Sequence, residues 1–147
     1  MRATHRILTC LSACAFLLSS HAALAHSASA PGVSIEKLLE TEQSWDGERY
    51  STYPQGTPQL SVLKITIAPN TALAWHTHPI PNAAYVAEGV LTVEKKSTGE
   101  KRTLQQGEVL PEMVDSAHRG YTGKEGVTLV VFYAGQQGVP LSKPVAE

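Results

Sequence analysis

Leu73-Ala74-Trp75-His76-Thr77-His78-Pro79-Ile80-Pro81-Asn82-Ala83-Ala84-Tyr85-Val86-Ala87-Glu88-Gly89 is the stretch whose reading decides the fold. Residues two apart on an extended chain point to the same face. If this segment is a strand, His76 and His78 offer two imidazoles to one metal ion. Leu73, Ala74 and Trp75 before them are apolar and carry no helix-start signal. Pro79 and Pro81 cannot continue a helix and close the strand. A third histidine, His118, lies on a later strand-like stretch. Together the three read as a metal site inside a small β-barrel.

The flanking sequence keeps the period of two. From Leu60 to Ile67, Leu60, Val62, Lys64 and Thr66 alternate with Ser61, Leu63, Ile65 and Ile67, which gives a strand with one strongly apolar face. Strands are expected over Leu73–His78 and Asn82–Ala87, with a tight turn at Glu88-Gly89, and again over Val90–Lys95. A hairpin tip at Ser97–Glu100 leads to short strands over Arg102–Leu104 and Glu108–Leu110, then Ala117–Tyr121. Val127–Tyr133 is the most continuous apolar run and reads as a strand buried on both sides. Val33–Glu42 suits an edge strand or one helical turn, and Trp45–Pro58 a surface loop with a short strand near Arg49–Tyr53. Short strands between Gly and Pro turns, without a long amphipathic helix, place the chain in the all-β class as a sandwich or barrel.

The N-terminus is expected to be removed. Arg2 and Arg6 open a positive start, Ile7 to Leu18 is largely apolar, and Ala23-Leu24-Ala25 is a small-x-small cleavage site. Cleavage after Ala25 leaves His26 at the front and a periplasmic or secreted chain. A rival reading takes Leu11-Ser12-Ala13-Cys14 as a lipoprotein box, but the apolar run continues past Cys14. Both cysteines lie in the leader, so the mature chain has no disulfide and no thiolate ligand. Without Arg2 and Arg6, 10 basic residues face 13 acidic ones, a net charge of −3. Nothing in that balance suggests nucleic acid or an anionic membrane as a partner. The expected organisation is a signal peptide over 1–25, an arm and loop over 26–58, a barrel over 59–135 and a surface tail over 136–147.

The residues around the histidines resemble the two motifs of the cupin superfamily. In the first, His76, His78 and Gly89 match, while Asn70 stands at the usual first Gly and Asn82 at the usual Glu. In the second, Gly107 and His118 match, and Met113, Asp115 and Thr122 replace Pro, Gly and Asn. The resemblance covers about Leu60 to Gly135. It implies a small jelly-roll barrel, a cupin-like double-stranded β-helix, with a divalent metal held inside one end by His76, His78 and His118. The missing Glu leaves the fourth ligand open, because an amide at Asn82 is a poorer ligand than a carboxylate for a hard cation. Some cupin dioxygenases work with three histidines alone.

The alternative reading of His76 and His78 is a pair of hydrogen-bonded strand histidines. Against it, the mature chain has four histidines and three fall at these positions. Imidazole ligates Zn, Cu, Mn, Ni or Fe, and export disfavours ferrous iron. Asn82 reads either as a weak or supporting ligand or as a turn-end residue. Glu112 shares parity with His118 if the strand is continuous, which makes it a candidate base; the alternative is a solvated surface Glu. Trp75, Tyr85 and Arg119 have the opposite parity, and Glu94, Lys95 and Lys96 read as a solvated hairpin end. Two functions follow: an oxygenase acting on a small organic acid or thiol, or a non-catalytic module that binds a small ligand or metal. The apolar surplus of Val127–Tyr133 and Leu60–Ile67 predicts cover by the segment Val33–Tyr53 or by a second copy in a homodimer.

Overall fold

The computed structural model describes residues Pro31–Ala146. The leader, Cys14 and His26 lie outside the described residues. The chain divides into two compact units, Met1–Ile35 and Glu36–Glu147. Of the first, Pro31–Ile35 are described, and they open on a turn at Pro31-Gly32. Among the described residues, the second unit carries every strand.

Eight strands follow in order: β1 Pro58–Ile67, β2 His76–Thr77, β3 Asn82–Lys95, β4 Lys101–Gln105, β5 Val109–Pro111, β6 His118–Tyr121, β7 Val127–Gln136 and β8 Lys143–Pro144. No helix occurs among the described residues. The long strand β3 belongs to two sheets. Its first half lies between β5 and β7, with β1 beyond β7. Its second half lies between β4 and β6, followed by β2 and β8. Inward residues of both sheets form one core, including Ala84, Val86, Leu91, Val93, Leu104, Leu110, Leu129 and Val131. This is the all-β jelly roll that the alternating pattern predicts.

The turn expected at Glu88-Gly89 is instead a bulge inside β3. The register with β7 shifts between Val86 and Glu88, where the strand leaves one sheet for the other. Gly89 has φ 81°, and a Cβ there would stand 2.0 Å from the carbonyl oxygen of Gly126. A bulge adds twist and bends a strand without ending it, so one Gly serves here in place of a loop. The strand expected over Leu73–His78 shrinks to His76–Thr77, and His78 forms a single parallel bridge to Val114.

Motif positions that lack glycine keep its backbone. Asn70 and Asp115 are the two non-glycine residues with positive φ among those described, at 53° and 54°. Their short polar side chains tolerate the left-handed region better than other residues do. Thr122 replaces an asparagine and ties the Asn70 turn through its hydroxyl, donating to the Ala68 carbonyl and accepting the Thr71 N–H.

Val127–Tyr133 is not buried on both sides. Burial alternates along β7, with Val127, Leu129, Val131 and Tyr133 inside and Val130 and Phe132 outside. Val33–Glu42 forms no strand or helix, and the only pairing near Arg49 is its bridge to Gln43. The segment from Trp45 to Tyr50 nevertheless docks on the barrel. Trp45 N–H donates to the Pro111 carbonyl, Tyr50 hydroxyl to the Glu112 carbonyl, and Lys95 pairs with Asp46 at 2.6 Å. The solvated hairpin end expected at Glu94–Lys96 is corrected in part, because the Lys95 side chain is only 17% exposed and turns to a fully buried Asp46.

Candidate metal centre

The site is built by the second sheet. His76 on β2 pairs directly with His118 on β6, so the two imidazoles leave adjacent strands on one face. His78 follows two residues after His76 and joins them. The three ring centroids lie 4.6–5.0 Å apart. One nitrogen from each ring falls within 4.8 Å of the others. His118 and His78 are buried, and His76 is half-buried.

Each ring is oriented by its Nδ1. His76 Nδ1 donates to the Ala74 carbonyl at 2.9 Å, His78 Nδ1 to Leu141 at 2.8 Å and His118 Nδ1 to Ser116 at 2.8 Å. With the proton on Nδ1, each Nε2 keeps a lone pair for the centre. A metal-binding histidine is normally held in this way, its second nitrogen fixed by a carbonyl or carboxylate.

Glu112 comes from the facing sheet and does not lie at the surface. It is 8% exposed, and its Oε2 stands 3.3 Å from His118 Nε2. The two atoms are not aligned as a hydrogen bond, and both are buried without a partner. A carboxylate oxygen and an Nε2 lone pair repel each other unless a cation lies between them. That cation can be a proton or a metal ion, and the three imidazoles are a donor set that suits a divalent transition metal.

The parity argument for Glu112 finds the right neighbour for the wrong reason. β5 ends at Pro111, Asp115 makes a left-handed turn, and β6 begins at His118. Glu112 and His118 meet because they belong to facing sheets, not to one strand. Asn82 sits beside Glu112, whose N–H donates to the Asn82 carbonyl at 3.1 Å. Where the resemblance leads one to expect a carboxylate at 82, the buried carboxylate stands one strand over. Asn82 is 6% exposed; its amide donates to the Ile80 carbonyl, and its Oδ1 is buried without a partner.

Register extends this polar row. Asn82 pairs with Tyr133 and Tyr133 with Ser61. Tyr133 is buried, with its ring 5.7 Å from that of His78. Burial, and then the charge of Glu112, push its hydroxyl pKa up to about 12. Sequence reasoning missed Tyr133 because it sits in an apolar run. Its alternation with outward Phe132 and Val130 was the available signal.

Trp75 and Arg119 lie on the other face, as their parity requires. The Arg119 guanidinium stacks 4.4 Å from the Trp75 ring centroid and bonds Glu94 at 2.8 Å. A separate cleft of about 590 Å³ runs between Tyr50 and Tyr53 of the arm and outward Phe132. It contains no histidine.

Electrostatics divide the histidines. Burial lowers the pKa of His76 and His78, so both are neutral and ready to ligate at neutral pH. Burial acts on His118 too, but the Glu112 carboxylate outweighs it and raises the pKa. Burial would raise Glu112; the three histidines overcome that and lower it. Below its raised pKa, His118 in the ion-free centre carries a second proton beside Glu112, and a metal would have to displace it. Metal affinity is expected to fall by about tenfold per pH unit once pH drops below the raised His118 pKa, because one proton then competes with the ion. Glu112→Gln removes the lift, so the break should move to lower pH. Competition titrations against a chelator across pH read both effects.

No family model and no curated protein sequence matches the chain. Solved structures do. A cupin-like protein from Thermotoga maritima is 16% identical over 60% of this chain and 65% of its own, with a TM-score of 0.52. The polyketide cyclase RemF from Streptomyces resistomycificus is 18% identical over 63% and 64%, with a TM-score of 0.53. The DMSP lyase DddQ from Ruegeria pomeroyi is 14% identical over 69% and 49%, with a TM-score of 0.53. The chain thus spans just under two thirds of the first two proteins and about half of the third. At these identities the likeness is one of fold, and that fold is the cupin barrel.

Proposed function

With the cupin fold as the frame, we propose that His76, His78 and His118 hold one divalent transition-metal ion, that Glu112 is its fourth ligand, and that the protein is a metal-dependent oxygenase. Its substrate would be a small organic acid or thiol. The observation that carries the metal reading is the convergence of three Nδ1-anchored imidazoles, with a buried Glu112 oxygen 3.3 Å from the Nε2 of one of them, His118. A bound metal would supply Lewis acidity and a place for dioxygen. The chain supplies the rest. Tyr133, with its raised pKa, stays protonated at neutral pH and can donate a hydrogen bond to a substrate oxygen. The free Oδ1 of Asn82 can accept one from a substrate or water hydroxyl.

We further propose that the chain is exported and cleaved after Ala25. One preparation tests this with the metal. Protein from a periplasmic fraction should have an intact mass starting at His26, carry one transition-metal ion per chain and consume oxygen with a member of a panel of small acids and thiols. A metal-loaded protein that binds a panel member without oxygen uptake would be a binding module instead. A metal-free protein that gains none on exposure to Zn, Cu, Mn, Ni or Fe would end the metal reading.

Homodimerisation is also proposed. The outer face of β1 and β7 carries Leu60, Val62, Val130 and Phe132, exposed by 69%, 63%, 37% and 43%. Val62 and Phe132 are register partners, so the patch is continuous across the strands. The arm leaves these side chains exposed. A second copy packed on this face would bury on the order of 1,200–2,000 Å² in total. Sedimentation at micromolar concentration should show two chains for the wild type and one for Phe132→Asp. A monomeric wild type would contradict the dimer.

A further inference from the structure

We propose that the C-terminal strap, residues 138–146, is a positioning element of the metal centre: its backbone sets the His78 imidazole, and strap docking and metal binding strengthen each other. This rests on the three-histidine metal reading above. The Nδ1 partners of His76 and His118 lie two residues away on their own segments, Ala74 and Ser116. They move with their histidines. The partner of His78 is the carbonyl of Leu141, 63 residues further along the chain. Of the three tethers, this is the one a distant segment can make or break.

The strap reaches that position by adding an edge strand. β8 pairs with β2, placing Pro144 opposite His76 and Lys143 opposite Thr77. Val145 N–H donates to the Trp75 carbonyl at 2.9 Å, and the Lys96 ammonium bonds the Ala146 carbonyl. Val139 and Leu141 are partly buried against the core. The surface tail expected from the sequence therefore returns to the barrel and lies against the strand that carries His76.

This attachment is slight. β8 is two residues long and exposed, and Pro144 has no N–H to give to β2. Segments with few buried contacts and exposed backbone hydrogen bonds open locally at low cost. When the strap opens, His78 loses the acceptor that holds its proton on Nδ1, and the Nε2 lone pair is no longer held toward the centre. A metal ion bound to Nε2 restores that orientation and so favours the closed strap. Linkage requires the effect to run both ways by the same factor.

Zinc serves as the probe. Its affinity is measured by chelator competition for the full chain, for a chain ending at Gln137, and for each with His78→Ala. Loss of an orienting partner of this kind typically costs about 10–100-fold in metal affinity, and that is the expected effect of truncation when His78 is present. With His78→Ala, truncation should cost no more than about twofold, the level of uncoupled sites. An equal loss in both backgrounds would show a merely structural role and overturn the proposal, as would no loss in either. Hydrogen exchange on the intact chain decides independently should the shortened chain fail to fold. At saturating zinc, exchange of the Val145 amide should slow by about tenfold or more in the wild type and not in His78→Ala, matching the affinity coupling. An unchanged Val145 amide in a zinc-loaded wild type overturns the strap alone. A wild type that binds no zinc overturns the metal reading with it.

Discussion

Replacing His76 with alanine is expected to weaken metal binding by about 10²–10³-fold while leaving the barrel folded. Structural zinc sites are worth about 10–16 kcal/mol, so one of four ligands carries about 3–4 kcal/mol, two to three decades of affinity. His76 is the most exposed of the three histidines. The same change at His118 should cost a similar factor in affinity and destabilise the ion-free protein as well. His118 is 1% exposed and faces a buried Glu112. Removing one partner of such a pair leaves a buried charge alone, at a cost of about 3–5 kcal/mol. Chelator competition and denaturant unfolding of both variants separate the two effects. Equal unfolding midpoints for His76→Ala and His118→Ala would contradict the buried pair.

Gly89→Ala should be the most damaging single methyl group in the barrel. Two penalties add there. The φ of 81° is one that a side chain rarely adopts, and the new Cβ would stand 2.0 Å from the Gly126 carbonyl oxygen. The obstacle is backbone, so no rotamer change relieves it. A left-handed residue costs about 1–2 kcal/mol and overpacking about 1–3 more, for a combined loss of about 2–5 kcal/mol. For a unit of this size that lowers the melting temperature by roughly 10–25 °C. Thermal unfolding monitored by circular dichroism measures it. Gly99→Ala is the control, because its φ is 70° but nothing lies within 4 Å of the added carbon. It should lose only the conformational part.

Much of this was readable because period-two patterns and Gly/Pro turns are local. The strand identity of β1 follows from alternation, and that of β7 from its continuous apolar run, although its outer face proves exposed. The convergence of His76 and His78 follows from the pleat, and the joining of His118 to them from the cupin resemblance. What stayed hidden depends on partners distant in sequence. Gly89 looks like a turn because a bulge and a turn both use glycine with positive φ, and only the approach of Gly126 distinguishes them. Lys95 looks solvated because its partner, Asp46, is 49 residues away on an arm with no periodicity of its own. Glu112 and Tyr133 join the centre through sheet packing and cross-strand register, which a single strand's pattern does not encode. The Leu141 tether is a backbone carbonyl, so no side chain announces it.

The central claim is one metal ion held by three imidazoles and a carboxylate. Diffraction from crystals of the zinc-loaded full chain, collected on both sides of the zinc absorption edge, tests it most directly. The account predicts a single anomalous peak bonded to Nε2 of His76, His78 and His118 at about 2.0–2.1 Å, with a Glu112 oxygen as fourth ligand. A peak elsewhere on the chain, or an ion held by His76 and His78 while His118 still faces Glu112 unmetallated, would contradict it.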